Sequence, residues 1–179
     1  RRSHAKESDK VTQKGRKSKK MKKILFIDMD NVLVDFPSAF PRLDPAVLEA
    51  QTEDRDEIPG IFALMDPLPG AVEAFHRLAE LFDTYILSTA PFVLRSLGVG
   101  GWENPSAWAD KLLWVKKHLG RPAYKRLILT HHKNLNRGDF LVDDREKNGA
   151  SAFEGELIRF GSEAFPDWAT VMGYLEENS

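Results

Sequence analysis

Five apolar runs of strand length recur along the chain: "KKILFID" (22–28), "DTYILSTA" (83–90), "KRLILTHH" (125–132), "DFLVDDR" (139–145) and "ELIRFG" (156–161). Continuous apolar runs, without polar alternation, are what strands buried on both faces require. Helical patterns are interspersed. "PLPGAVEAFHRLAELF" places Pro69 near a helix start and Val72, Phe75, Leu78, Ala79 and Phe82 at helical spacing. "SAWADKLLWVKKHLG" puts Trp108, Leu112, Val115 and Leu119 on one stripe and stops at Gly120, and "PDWATVMGYLEE" supplies a closing helix. Strands alternating with helices predict an α/β fold, a Rossmann-like, mostly parallel sheet with right-handed crossovers.

At 179 residues, with 42% apolar and 30% charged side chains, the chain can bury one good core but not two. It contains no apolar run of about 18 residues that could span a bilayer, and no charged-then-apolar leader. The expectation is a soluble, cytoplasmic protein with no membrane partner. With no cysteine, disulfides, thiolate metal sites and cysteine nucleophiles are excluded, so a metal would be held by oxygen or imidazole.

The formal net charge of −1 divides unevenly. Residues 1–20 hold nine Lys/Arg against two Asp/Glu, a local +7, which leaves −8 on residues 21–179. The first segment reads as a disordered basic tail or an expression remnant, and residues 21–179 as the domain. The acidic body argues against a nucleic-acid partner. Residues 37–66, rich in proline and acid, break the rhythm between the first strand and its return helix. They read as a small cap insertion over the sheet edge with one or two short helices at most.

Open parallel sheets bind ligands beyond the carboxyl ends of their strands. Asp28 falls at the end of the first run, Ser88 and Thr89 at the end of the second, His131 to Lys133 after the third, and Asp143 and Asp144 at the end of the fourth. Several carboxylates at one edge would repel unless a cation lies among them, and all-oxygen ligands favour Mg²⁺. A lysine and a hydroxyl beside them suit a phosphoryl group, whose transfer needs charge stabilisation and fixed donors. An aspartate can attack phosphorus and form an acyl phosphate. Asp28 is the candidate nucleophile; Asp30, two residues on, is the candidate acid and base. Singly, each residue has a plainer use: turn chemistry for Asp28 and Asp30, a cap or an ion pair with Arg145 for Asp143 and Asp144, solvation for Lys133.

In this order, "DMDNV", "LSTAP", Lys133 and "LVDDR" resemble the haloacid dehalogenase superfamily of phosphohydrolases. Together with "DPLPGAVEAF", "DKLLWVKKHLG" and "LILTHHK", they resemble the 5'(3')-deoxyribonucleotidases, phosphatases of pyrimidine deoxynucleotides. The resemblance implies a Mg²⁺-dependent enzyme of deoxyribonucleotide catabolism whose partner is a small phosphate ester, a nucleoside monophosphate. By that likeness Asp28 is the nucleophile and Asp30 the acid/base, its main-chain carbonyl a metal ligand. Asp144 and Asp143 supply the remaining metal carboxylates. Thr89 and Lys133 bind phosphate, flanked by Ser88 and Ala90. Lys111 corresponds to a second substrate lysine, Phe36 to a nucleoside wall, and Phe62 to a further wall.

The chain departs from the family pattern in three places. Ala90 replaces a serine, "HH" replaces an arginine before the lysine loop so that His131 stands in its place, and the insertion is short. Two alternatives accompany this reading: a phosphatase of another small phosphate ester, and a phospho-accepting signalling or non-catalytic binding module. A homodimer is left open. Trp102, in "GGWENPSAW", is assigned to packing, and Trp108, Trp114 and Trp168 to helices.

Overall fold

The computed structural model describes residues 21–53, 55–91, 104 and 106–179. The basic tail and Trp102 lie outside the described residues. Strand β1 (Ile24–Ile27) leads into a short ribbon, β2 (Val34–Asp35) paired antiparallel with β3 (Asp66–Pro67), and between them lies α1 (Pro45–Ala50). Then follow α2 (Ala71–Leu81), β4 (Asp83–Ser88), α3 (Ala107–His118), β5 (Leu127–Leu129), β6 (Phe140–Asp143), β7 (Glu156–Arg159) and α4 (Trp168–Glu177).

Five strands form one sheet in the order β5-β4-β1-β6-β7, and every pairing is parallel. The apolar runs thus form the sheet expected of them. β1 lies at the centre. Leu25 and Ile27 of β1, Ile86 of β4, and Phe140 and Val142 of β6 join one large core with the helices and the insertion. Side chains of opposite parity, Phe26, Leu87 and Leu141, form a second, smaller cluster with Phe153. The chain runs from β1 through β4 to β5, then jumps across β1 to begin β6. That reversal leaves a crevice between β1 and β6 at their carboxyl ends.

The insertion holds more structure than anticipated. Besides α1 it contains 3-10 turns at Phe36–Arg42, Arg55–Glu57 and Ile61–Leu64. Its prolines start turns as well as ending them: Pro45 is the first residue of α1, and Asp44 caps that helix by accepting from the Ala46 amide at 2.8 Å.

The face of α3 differs from the stripe read in the sequence. Val115 and Leu119 of that stripe are buried as read, but Trp108 and Leu112 are 43% and 48% exposed, and Ala107, Lys111 and Trp114 are buried in their place. The helix turns Lys111 inward because its ammonium finds matched partners there. Hydrophobicity counts score a lysine as outward-facing whether or not it is paired. Among the described residues, no helix is long and apolar enough to cross a membrane.

Candidate active site

The register of the sheet sets the site. Ile27 pairs with Val142, and the Asp28 amide donates to the Val142 carbonyl at 2.9 Å, so Asp28 and Asp143 leave adjacent strands at the same level. Asp144 follows one residue later. Carboxylate oxygens of Asp28, Asp143 and Asp144 lie within 4.8 Å of one another. Lys133, buried in the 3-10 turn Lys133–Leu135 after β5, reaches into this group. Its Nζ is 3.1 Å from Asp28 Oδ1 and 2.5 Å from Asp143 Oδ2.

One lysine can neutralise only part of the charge of three carboxylates. Burial, then the neighbouring Asp28 charge, pushes Asp143 up to about 6, against the pull of Lys133. Burial likewise raises Asp144, opposed by Arg145. Burial alone would lower Lys133, but Asp28 and Asp143 more than offset it and hold the ammonium above its usual range. The 3.1 Å contact is an ion pair without hydrogen-bond alignment, since Asp28 Oδ1 has no hydrogen-bond partner among the described residues, and neither has Asp144 Oδ1. Buried, unsatisfied carboxylate oxygens are costly and call for a cation. The donor set is all oxygen, which fits a hard divalent ion.

Asp30 sits on a tight turn. After Met29 the chain curls so that the Leu33 and Val34 amides donate to the Met29 carbonyl, at 2.8 and 2.9 Å. Asn31 takes a positive φ of 57°, a conformation asparagine tolerates better than most residues. The Asp30 carboxylate is not one of the trio and meets α3. There Lys111, fully buried, donates to Asp30 Oδ2 at 2.7 Å and to Ser88 Oγ at 3.1 Å. Burial, and to a lesser degree the Asp28 charge, raises the Asp30 carboxyl despite Lys111.

The remaining sequence candidates fall around these two groups. Ser88 is buried beneath Lys111, and its hydroxyl is 3.4 Å from the Thr89 carbonyl. Thr89 is half-buried at the strand end, whereas Ala90 is buried and its carbonyl meets the His131 ring at 2.8 Å. Phe36 is half-buried, edge-to-face with Phe40 and Phe62. Phe62 is buried and covers the Lys111 ammonium, 4.5 Å from Nζ to the ring centroid. The structure therefore makes two clusters of the sequence candidates: Asp28, Lys133, Asp143 and Asp144 in one, and Asp30, Lys111 and Ser88 in the other.

Two neighbours escaped the sequence reading as site residues. Asn31 Nδ2 lies 3.4 Å from Asp144 Oδ2, and Arg159 donates to the Asp144 carbonyl at 2.9 Å. The asparagine was visible in "DMDN" as a turn former; nothing in the chain's pattern marked the arginine. The plainer pairings occur as well: the Arg145 amide donates to Asp143 Oδ1 at 2.9 Å, and Arg145 Nε is 3.5 Å from Asp144 Oδ1. A groove of about 980 Å³ on the outer side of α3, lined in part by Leu112, Lys116 and Tyr124, shares no residue with either cluster.

A wholly parallel sheet carrying a carboxylate trio and a lysine at its strand ends is the arrangement that the sequence resemblance to haloacid dehalogenase phosphohydrolases implies. Residues 53–165 match the family described as 5' nucleotidase, deoxy (pyrimidine), cytosolic type C protein. A Vibrio phage KVP40 protein provisionally named 5'(3')-deoxyribonucleotidase is 54% identical over 162 residues, covering 89% of this chain and 88% of that protein. A Bordetella pertussis protein with the same provisional name is 34% identical over 68% of this chain and 74% of its own length. The human 5'(3')-deoxyribonucleotidase, cytosolic type, is 28% identical over 83% of this chain and 78% of its own length. The chain belongs to this 5'(3')-deoxyribonucleotidase family. That membership sets aside the signalling-module alternative.

Proposed function

We propose that the protein is a Mg²⁺-dependent phosphomonoesterase that hydrolyses nucleoside monophosphates, preferring deoxyribonucleotides, through an aspartyl-phosphate on Asp28. One observation carries the reading: Asp28, buried at a strand end, belongs to a carboxylate trio while touching the Lys133 ammonium. That arrangement supplies a nucleophile and the means to bring a phosphate dianion beside it.

Asp28 attacks phosphorus and displaces the ester oxygen, and Asp30 gives that oxygen its proton. Burial keeps Asp30 protonated to a higher pH than an ordinary carboxyl, as a general acid requires. The same carboxylate, now deprotonated, takes a proton from water as the water attacks the acyl phosphate. Phosphate leaves and Asp28 is restored. Lys133 offsets charge on the phosphoryl oxygens, and the Thr89 hydroxyl is a donor at the strand end. Asp28, Asp143 and Asp144, with the Asp30 main-chain carbonyl, would hold Mg²⁺, which when bound polarises the phosphoryl group and screens the carboxylates from one another.

A base stacked on Phe36 would gain about 1–3 kcal/mol, judged from aromatic stacking in nucleic-acid sites. One observation favours a second reading with the same chemistry on a different small phosphate ester. Phe62 is buried against Lys111, so it is not an open wall for a nucleoside. Phosphate release from 5'- and 3'-monophosphates of thymidine, deoxyuridine, uridine and deoxyguanosine, alongside an aryl phosphate, separates the two. Preference for deoxypyrimidines supports the first, and indifference to base and sugar the second. Full activity in Asp28→Asn would sink both.

A further inference from the structure

Lys111 is placed like a structural support. An ammonium has three N–H donors. Here one meets Asp30 Oδ2, another Ser88 Oγ, and the face of Phe62 covers the ammonium at 4.5 Å. Its surroundings are complete before any phosphate arrives. Asp30, by contrast, keeps Oδ1 buried with no hydrogen-bond partner among the described residues. One oxygen of the carboxyl is anchored and the other is enclosed but makes no hydrogen bond.

The aromatic cover comes from the insertion, which is fastened on both sides of the contact, to α3 and to Asn104 just ahead of it. Trp114 Nε1 donates to the Met65 carbonyl at 2.9 Å, and the buried Asn104 amide donates to the Asp56 and Ile58 carbonyls, each at 3.0 Å. Phe62 lies in the 3-10 turn between those anchors.

We propose that Phe62 and Lys111 are positioning residues for the acid step: Phe62 holds the Lys111 ammonium in place, and Lys111 fixes the Asp30 carboxyl for proton transfer to the leaving group. The insertion thereby serves chemistry as well as enclosure. The inference rests on the reading of Asp30 as the general acid.

A leaving group that needs no proton distinguishes positioning from general damage. kcat/KM reports the steps through loss of the leaving group. It is measured for a deoxynucleoside 5'-monophosphate, whose alkoxide needs protonation, and for p-nitrophenyl phosphate, whose phenolate does not. Phe62→Leu is expected to lower the nucleotide value about tenfold or more and the nitrophenyl value by no more than about twofold, since proton transfer contributes strongly only for the poor leaving group. Phe62→Tyr, which keeps the aromatic face, is expected to restore the nucleotide value. Ser88→Ala, a smaller change in the event that Phe62→Leu does not fold, should show the same selective loss.

Equal losses on both substrates, or a Phe62→Tyr protein as impaired on nucleotide as Phe62→Leu, would overturn the positioning role while leaving the hydrolase reading intact. A wild-type protein inactive on both substrates would overturn both.

Discussion

Lys133 Nζ lies 3.1 Å from Asp28 Oδ1 and also bonds Asp143, so one buried cation ties the candidate nucleophile to the carboxylates of the neighbouring strand. Removing it should do two things at once. Lys133→Met leaves Asp28 and Asp143 buried without their counter-charge, which typically costs about 3–5 kcal/mol. Urea unfolding of the metal-free variant at pH 7.5 should show a loss of that order, and phosphatase activity should fall at least about a hundredfold. Unchanged stability would show that the trio does not depend on the lysine.

Asp143 gives a pH prediction whose sign can be worked out. Its folded-state pKa, about 6, lies above the ordinary carboxylate value. Between the two values the folded protein keeps a proton that the unfolded chain has lost, so metal-free stability falls as pH rises through that window. The decrease from this group is of order 2–3 kcal/mol. A divalent cation binds the deprotonated trio, so Mg²⁺ should raise the melting temperature more at pH 7.5 than at pH 5. Equal shifts at the two pH values would argue against the trio as the binding site.

The rotated face of α3 is testable with solvent-facing and core substitutions on the same helix. Trp108→Ser and Leu112→Ser, on exposed positions, should change stability by no more than about 0.5 kcal/mol. Trp114→Ala should cost about 3–5 kcal/mol, since it empties a buried site and frees the Met65 carbonyl. Guanidinium unfolding of the three variants decides it, and a large loss at Trp108 would restore the stripe read from the sequence.

Asn104 is the clamp between insertion and helix. Asn104→Ala leaves the Asp56 and Ile58 carbonyls without their donor and should destabilise by about 1–3 kcal/mol. Hydrogen exchange should quicken at Ile61–Leu64 more than at β1. Uniform change across the protein would contradict a local clamp.

These variants also show where sequence reasoning reached and where it stopped. The strands were legible because β1, β4 and β6 are continuous apolar runs, and the ends of those runs located Asp28, Ser88, Thr89, Asp143 and Asp144 at one edge. The orientation of α3 was not legible, because what turns it inward is a lysine satisfied by residues about 80 and 20 positions away. The insertion's turns were hidden for a related reason: its prolines and acids look like loop chemistry until Asp44 and Pro45 are seen capping a helix. That the Asp30 carboxylate meets Lys111 while the other three gather is a long-range pairing that no residue pattern encodes.

The central claim is that Asp28 carries the phosphoryl group. The most direct measurement is to mix enzyme, Mg²⁺ and a deoxynucleoside 5'-monophosphate, quench in acid within the first turnover, reduce with borohydride and sequence the peptides by mass spectrometry. The account predicts reductive conversion at Asp28 and at no other carboxylate, lost in Asp28→Asn. Steady turnover with Asp28 unmodified at every quench time, or conversion at Asp30, would contradict it.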